Sequence, residues 1–290
     1  MKSYAKLISS MLIWGTLPVF VSKVPCSSAE TVMWRIIFGL AFLLVVFIFA
    51  KNKADKAMYK KWTPKLIVTG FFMGANWVAL FEAYRWVDVS IATLTYYMAP
   101  IIVMVTSVFL FKEYAGKFKI LGTASAIAGM IIVTGVNVGG LDPMKGIIFG
   151  LVSAVFYASV TLLNKSTKGL SGLEMTIIQL FGAALVIIPY TFFTHSGPWL
   201  DLTSEGGVYA ILVGLLHTGV ALFLYFSSIQ ELPAQSVALC SYIDPASALI
   251  FAAVLLGDVL SPLQWVGALM ILGGAAVGEL LGNKKGLSKQ

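Results

Sequence analysis

The chain has 290 residues, 59% of them hydrophobic and 11% charged, with a formal net charge of +7. Soluble domains are roughly half apolar and about 25% charged. Charge this sparse could not cover a soluble globule, so the composition excludes a cytosolic enzyme, a disordered chain and a coiled coil. It fits an all-α polytopic membrane protein, and the basic excess needs no nucleic acid because cytoplasmic loops of membrane proteins collect Lys and Arg.

Ten apolar segments of about 20 residues, long enough to cross roughly 30 Å of hydrocarbon, follow one another. The start, Met1 to Lys6 before an apolar run, resembles a signal peptide. Lys23 interrupts the stretch before Cys26 and no small-x-small cleavage site follows, so it is read as an uncleaved first span near 5–23. Pro25, Ser27 and Ser28 separate it from the second, 30–50, and the Lys51–Lys61 run precedes the third, 65–85. Asp88 precedes the fourth, 89–111, and Lys112-Glu113 with Gly116 the fifth, 117–136. After Gly139–Pro143 come 144–164, 173–193, 207–229, 236–256 and 262–281, divided by Lys168-Gly169, Ser196-Gly197-Pro198, Pro233 and Gly257-Asp258. The loops are too short for an independent soluble core.

With the N-terminus inside, the inner segments hold 16 basic residues: Lys2, Lys6, Lys51, Lys53, Lys56, Lys60, Lys61, Lys65, Lys112, Lys117, Lys119, Lys165, Lys168, Lys284, Lys285 and Lys289. The outer ones hold three, Lys23, Arg85 and Lys145, which predicts cytoplasmic termini. Cys26, in a loop, and Cys240, within a span, are not expected to bridge, and no metal-binding Cys/His spacing exists.

The halves resemble each other. Leu94-x-x-Tyr97-x-x-Pro100 returns as Leu239-x-x-Tyr242-x-x-Pro245, an offset of 145. The same offset pairs Glu113 with Asp258, Gly122 with Gly267 and Gly129 with Gly274, and an offset of 144 pairs Glu30 with Glu174 and Arg35 with Gln179. Two five-helix repeats, 1–138 and 139–290, are therefore expected. Five is odd, so the second is inverted relative to the first, a recurrent design of secondary transporters.

The chain resembles the drug/metabolite transporter superfamily, in particular its ten-span EamA-type branch. The resemblance rests on Trp14-Gly15 and Lys23, Arg35, the proline-centred fourth and ninth spans closed by Glu113 and Asp258, and the glycine-rich fifth and tenth spans with Gly122, Gly129, Gly267 and Gly274. The usual Gly-Glu closing those two spans is here Lys112-Glu113 and Gly257-Asp258, a mild departure. The resemblance covers essentially the whole chain and implies movement of amino acids, related metabolites or drugs, commonly outward.

Arg35 is the only basic residue deep in a span. A charge at a span centre costs about 2.5–3.5 kcal/mol on insertion scales, so it faces a cavity or a partner. It is a candidate anchor for a substrate carboxylate; the alternatives are snorkelling or pairing with Glu30 or Glu174. Its counterpart Gln179 would present different chemistry to the same cavity. Asp244, just before Pro245, is a candidate proton site or amine contact, or a group that satisfies backbone freed by the proline. His217 could relay protons or make an interhelical hydrogen bond. Trp14, Asn76, Trp77, Tyr96, Tyr97, Tyr157 and Tyr242 are the aromatic and amide candidates for a substrate wall, with packing as the alternative. Glu82 and Arg85 should pair at the surface. Gly274, Gly278 and Gly282, like Gly70 and Gly74, are spaced for close helix packing.

No P-loop and no nucleophile–base constellation is present, so neither an enzyme nor an ATP-driven pump is expected. The expectation is a secondary transporter in the inner or plasma membrane, moving a small metabolite, an amino acid or related compound, outward by alternating access. The alternatives are a proton-coupled importer of a sugar-like or carboxylate solute and a non-transporting scaffold. The expected partners are a small-molecule substrate and the lipid bilayer. No cofactor, metal or nucleic acid is expected, and the chain is expected to work as a monomer.

Overall fold

The computed structural model describes residues 2–50, 54–87, 89–114, 116–134, 142–257 and 261–286, whose regular structure is helical with no strand. Asp88, Asp258 and most of the 138–143 loop, including the expected repeat boundary, lie outside the described residues.

The helices are α1 (Lys2–Gly15), α2 (Leu17–Val21), α3 (Ser28–Phe49), α4 (Lys56–Trp86), α5 (Val89–Tyr96), α6 (Ala99–Leu110) and α7 (Lys117–Thr134). Then follow α8 (Pro143–Lys165), α9 (Gly172–Thr194), α10 (Glu205–Leu212), α11 (Ala221–Ile229), α12 (Ala234–Cys240), α13 (Ile243–Phe251) and α14 (Pro262–Gly286). Two π-helical segments, Val213–Val220 and Ala252–Leu256, continue α10 and α13. Nine segments among the described residues are long and apolar enough to cross a membrane. The 18-residue α7 takes the place of the expected fifth span.

Side-chain caps begin several helices where the sequence changes from polar to apolar. Ser27 accepts from Glu30 N at 3.2 Å, and Ser171 and Glu174 form a reciprocal capping box. Asp142 accepts from Lys145 N at 3.2 Å, and that backbone bond, with the Lys145 ammonium, holds its carboxyl below the usual carboxylate range. The expectation of a break through Lys61 needs correction. Asp55 accepts from Met58 N at 2.8 Å and starts α4 at Lys56, so the helix projects beyond the apolar stretch.

Three spans are broken, each shortly before a proline. The first breaks at Thr16 before Pro18, the fourth at Tyr97–Met98 before Pro100, and the ninth at Ser241–Tyr242 before Pro245. Each proline falls in the first turn of the new helix, where a backbone donor has no intrahelical partner to lose.

Span contacts are reciprocal. The second span packs on the eighth and the third on the seventh; the first packs on the eighth and ninth, the sixth on the third and fourth. The fifth and tenth run antiparallel, α7 lying along α14. A Cβ on Gly122 would stand 2.4 Å from Gly274 O, and one on Gly129 2.5 Å from Gly267 O. Gly70 and Gly74 likewise admit the backbone of α9 at Gln179 and Ala183. The largest buried cluster includes Leu7, Met11, Ile36, Leu180, Ile187, Tyr225 and Phe226. Cys26 and Cys240 are unbridged.

Candidate functional site

The three broken spans converge with α3, α4, α8 and α11 on one cavity of about 580 Å³. Its deep part reaches Met11, Arg35, Met73, Tyr157 and Tyr225. From there it extends past Ser28, Thr31, Leu80 and Tyr84, away from the end that carries Lys2, Lys112 and Lys165.

Arg35 lines this cavity. Its Nε donates to Thr218 Oγ1 at 3.2 Å, and its guanidinium lies 5.8 Å from the Trp77 ring centroid. No carboxylate pairs with it among the described residues. Both sequence-suggested partners are engaged elsewhere. Glu30 accepts from Trp34 Nε1 and Leu200 N and pairs with His195 at 3.6 Å. Glu174 accepts from Ala54 N, Ser171 and Tyr59.

Asp244 lines the same cavity from the first turn of α13, where the helix dipole favours a carboxylate. It accepts from Tyr97 O–H at 3.2 Å and has no cationic partner among the described residues. Between the two charged groups runs an aromatic wall. Trp14 packs on Tyr225 at 5.1 Å, and the Tyr225 hydroxyl is 3.1 Å from that of Tyr157. Tyr157 meets the edge of Tyr96 at 5.6 Å, and Tyr96 that of Tyr97 at 5.3 Å. Asn76 reaches the cavity but is tied down, its Nδ2 donating to Ser153 O and Oγ, both at 2.8 Å.

Of the residues singled out in the sequence, Trp14, Arg35, Asn76, Trp77, Tyr96, Tyr97, Tyr157 and Asp244 meet at this cavity. Gln179, Tyr242 and His217 do not line it, and all three belong to helix packing. Gln179 accepts from Asn164 Nδ2 at 2.8 Å and donates to Met175 O. Tyr242 packs among Ala126, Met130 and Ile271 and donates to Tyr97 O at 3.4 Å. His217 clamps the first-span break. Thr16 Oγ1 donates to Ile13 O at 2.7 Å, which leaves its oxygen to accept from His217 Nε2 at 3.0 Å. The His217 carbonyl accepts the Trp14 indole N–H at 2.8 Å. Tyr225, Tyr84, Thr93 and Ser241 also line the wall and are not among the candidates that the sequence singles out. Glu82 and Arg85 form the expected ion pair at 3.0 Å.

An all-helical bundle whose broken spans meet at a polar-tipped aromatic cavity defines a polytopic membrane transporter. The EamA-like transporter family model matches residues 1–135 and 144–277, and the chain belongs to that family. It is similar to the uncharacterized transporter YxxF of Bacillus subtilis, 28% identical over 277 residues that cover 94% of this chain and 88% of that one. An uncharacterized transporter of Archaeoglobus fulgidus is 26% identical, with 94% of each chain covered. Protein PecM of Dickeya dadantii is 27% identical over 72% of this chain and 71% of its own. A protein crystal structure superimposes with a TM-score of 0.84 over 96% of this chain and 98% of that one, at 16% identity, and so shows the shared fold. The protein is a multi-pass membrane transporter and not an enzyme.

Proposed function

We propose that this transporter moves a small zwitterionic metabolite, an amino acid or related compound, outward across the inner or plasma membrane by alternating access. One observation carries the reading: a guanidinium, Arg35, and a carboxyl group, Asp244, line one aromatic-walled cavity and lack ion-pair partners among the described residues. A substrate carboxylate at Arg35 and an amine at Asp244 would each supply the missing partner, and the wall would cover the apolar part. An amine and a proton would compete for Asp244, and that competition couples substrate efflux to proton entry.

With the termini cytoplasmic, this conformer faces outward. The two repeats, 1–138 and 139–290, are related by inversion. The reciprocal span contacts support that relation. At the offset of 145, Gly122 lies against the counterpart of Gly129, and Gly129 against the counterpart of Gly122, as a two-fold requires. Ser125 donates to the carbonyl of its own counterpart, Met270, at 3.0 Å. The proposed working unit is the monomer.

The scaffold alternative predicts a closed apolar interior, and a cavity lined by Arg35, Tyr97 and Asp244 argues against it. The test is counterflow and pH-driven flux of an amino-acid panel in proteoliposomes. Arg35→Ala should abolish transport of carboxylate-bearing solutes, with Arg35→Lys keeping part of it, because an ammonium loses the two-pronged contact. Asp244→Asn should lose proton-driven accumulation and keep a weakened exchange at equal pH, because the amide oxygen still accepts from the amine but cannot titrate. Normal flux through Arg35→Ala, or a parent-like response of Asp244→Asn to the pH difference, overturns the assignment; uptake of sugars or simple carboxylates would favour the importer.

A further inference from the structure

The π-helical segment Val213–Val220 lies outside the cavity wall yet holds two of its groups. His217 O accepts from Trp14 Nε1, and Thr218 Oγ1 accepts from Arg35 Nε. We infer that Thr218 is a positioning residue of the substrate site: it fixes the Arg35 guanidinium so that the Nη1–Nη2 fork is presented to an incoming carboxylate. The inference rests on the reading of Arg35 as a carboxylate anchor.

Three features build this contact. Thr218 lies within the π-helical segment, where i→i+5 bonding takes up an extra residue and changes the phase of the side chains relative to a regular α-helix. Gly39 then lets the turn approach α3: a Cβ there would stand 2.8 Å from Thr218 Cγ2 and 2.9 Å from Gly214 O. Thr218 itself is fully buried, so its hydroxyl cannot exchange Arg35 for water. A guanidinium has two edges able to grip a carboxylate in a bidentate fashion, one of which uses Nε. With Nε held by Thr218, the end-on edge of Nη1 and Nη2 remains, and neither nitrogen has a hydrogen-bond partner among the described residues. The Trp77 face, 5.8 Å away, restricts the plane from the side. Without the Thr218 hydroxyl, Arg35 keeps its charge and loses its preferred orientation, so the effect should fall on recognition of the carboxylate and not on turnover.

The experiment uses full-length protein in proteoliposomes and two probes that differ only in the carboxylate, phenylalanine and phenethylamine. Thr218→Val removes the acceptor at nearly constant volume. Its KM for phenylalanine should rise at least fivefold while the maximal counterflow rate and both constants for phenethylamine stay within twofold of the parent. Thr218→Ser, which keeps the hydroxyl, should restore the phenylalanine KM to within twofold. Thr218→Ala is read by the same criteria where Thr218→Val does not assemble. Equal losses for both probes, or no rescue by Thr218→Ser, would make Thr218 a packing residue and overturn the inference. Arg35→Ala separates the two levels. If it discriminates between the probes and Thr218→Val does not, the inference alone falls; if it does not discriminate, or the parent moves neither probe, the reading of the site falls and the inference with it.

Discussion

Lys112 is the one non-glycine residue among the described residues with positive φ, at 53°, and it ends the fourth span. Its counterpart at the offset of 145 is Gly257, which ends the ninth with φ 78°. The departure from Gly-Glu noted in the sequence is thus a left-handed turn made by lysine, which pays a Cβ clash that glycine avoids. The turn directs Glu113 onto the start of α12, where its carboxylate accepts from Ala234 N at 2.8 Å and Gln235 N at 3.1 Å. Lys112→Gly should keep that capping contact and stabilise the protein by about 0.5–1 kcal/mol, the relief of strain less the extra chain entropy of glycine. Thermal unfolding in detergent would show it as a higher Tm, and a lower Tm would mean that the lysine side chain contributes more than its backbone strain removes.

Helix pairing in lipid has little hydrophobic drive, so elements associate where small residues let backbones meet. The α7–α14 pair is the clearest case. Gly122 and Gly274 face each other across the contact, whereas Gly273, one residue away, would place a Cβ in open space. Gly122→Leu should therefore destabilise the bundle by about 1–3 kcal/mol through overpacking, and Gly273→Ala should be neutral or slightly stabilising. Chemical denaturation of the purified variants separates the two; similar losses would show that α14 packs in another rotation. The broken spans follow a different logic. Thr16, Tyr97–Met98 and Ser241–Tyr242 lie just before prolines, whereas Pro64 and Pro189 lie inside the unbroken α4 and α9, so a proline permits a break and packing decides where one forms. The π-helical turn at Val213–Val220 has no proline, and its two glycines, Gly214 and Gly219, let Phe38 and Phe42 of α3 sit close to it. Tertiary contact with the second span holds that turn in place.

Across the molecule, polar closure lies at the lysine-rich end. Glu113 pairs with Lys165 at 3.5 Å, Lys165 Nζ donates to Leu232 O at 2.5 Å, and Ser3 and Tyr4 bond to Glu231 and Glu279. Beneath this layer Cys240 is buried, 5% exposed. The proposed alternating access requires the layer to open, and Glu113→Ala removes its central acceptor. On a Cys26→Ser background, maleimide labelling of Cys240 should be slow in the parent and several-fold faster in Glu113→Ala, with substrate exchange altered in step. Unchanged labelling would place the moving contacts elsewhere.

The sequence by itself determined the class of the protein, the order of its spans, the proline-centred fourth and ninth spans and the two ionisable groups placed in apolar segments. Each of these is a local cost: twenty apolar residues, a missing backbone donor, an ion in hydrocarbon. It also carried the glycine spacing that brings α4 against α9 and α7 against α14. It could not assign which face of a helix meets the cavity. In lipid both faces are apolar, so polarity does not mark the inside as it does in water. Rotation decided that Tyr225 joins the wall while Tyr242, with a similar sequence setting to Tyr97, turns into helix packing. Rotation likewise sends Gln179 to Asn164 instead of the cavity. The π turn shifts the eighth span by one residue, which gives His217 to the first-span break and Thr218 to Arg35. Only the packed bundle fixes such a phase, because one residue turns a helix by about 100° and every side chain beyond it faces a new neighbour.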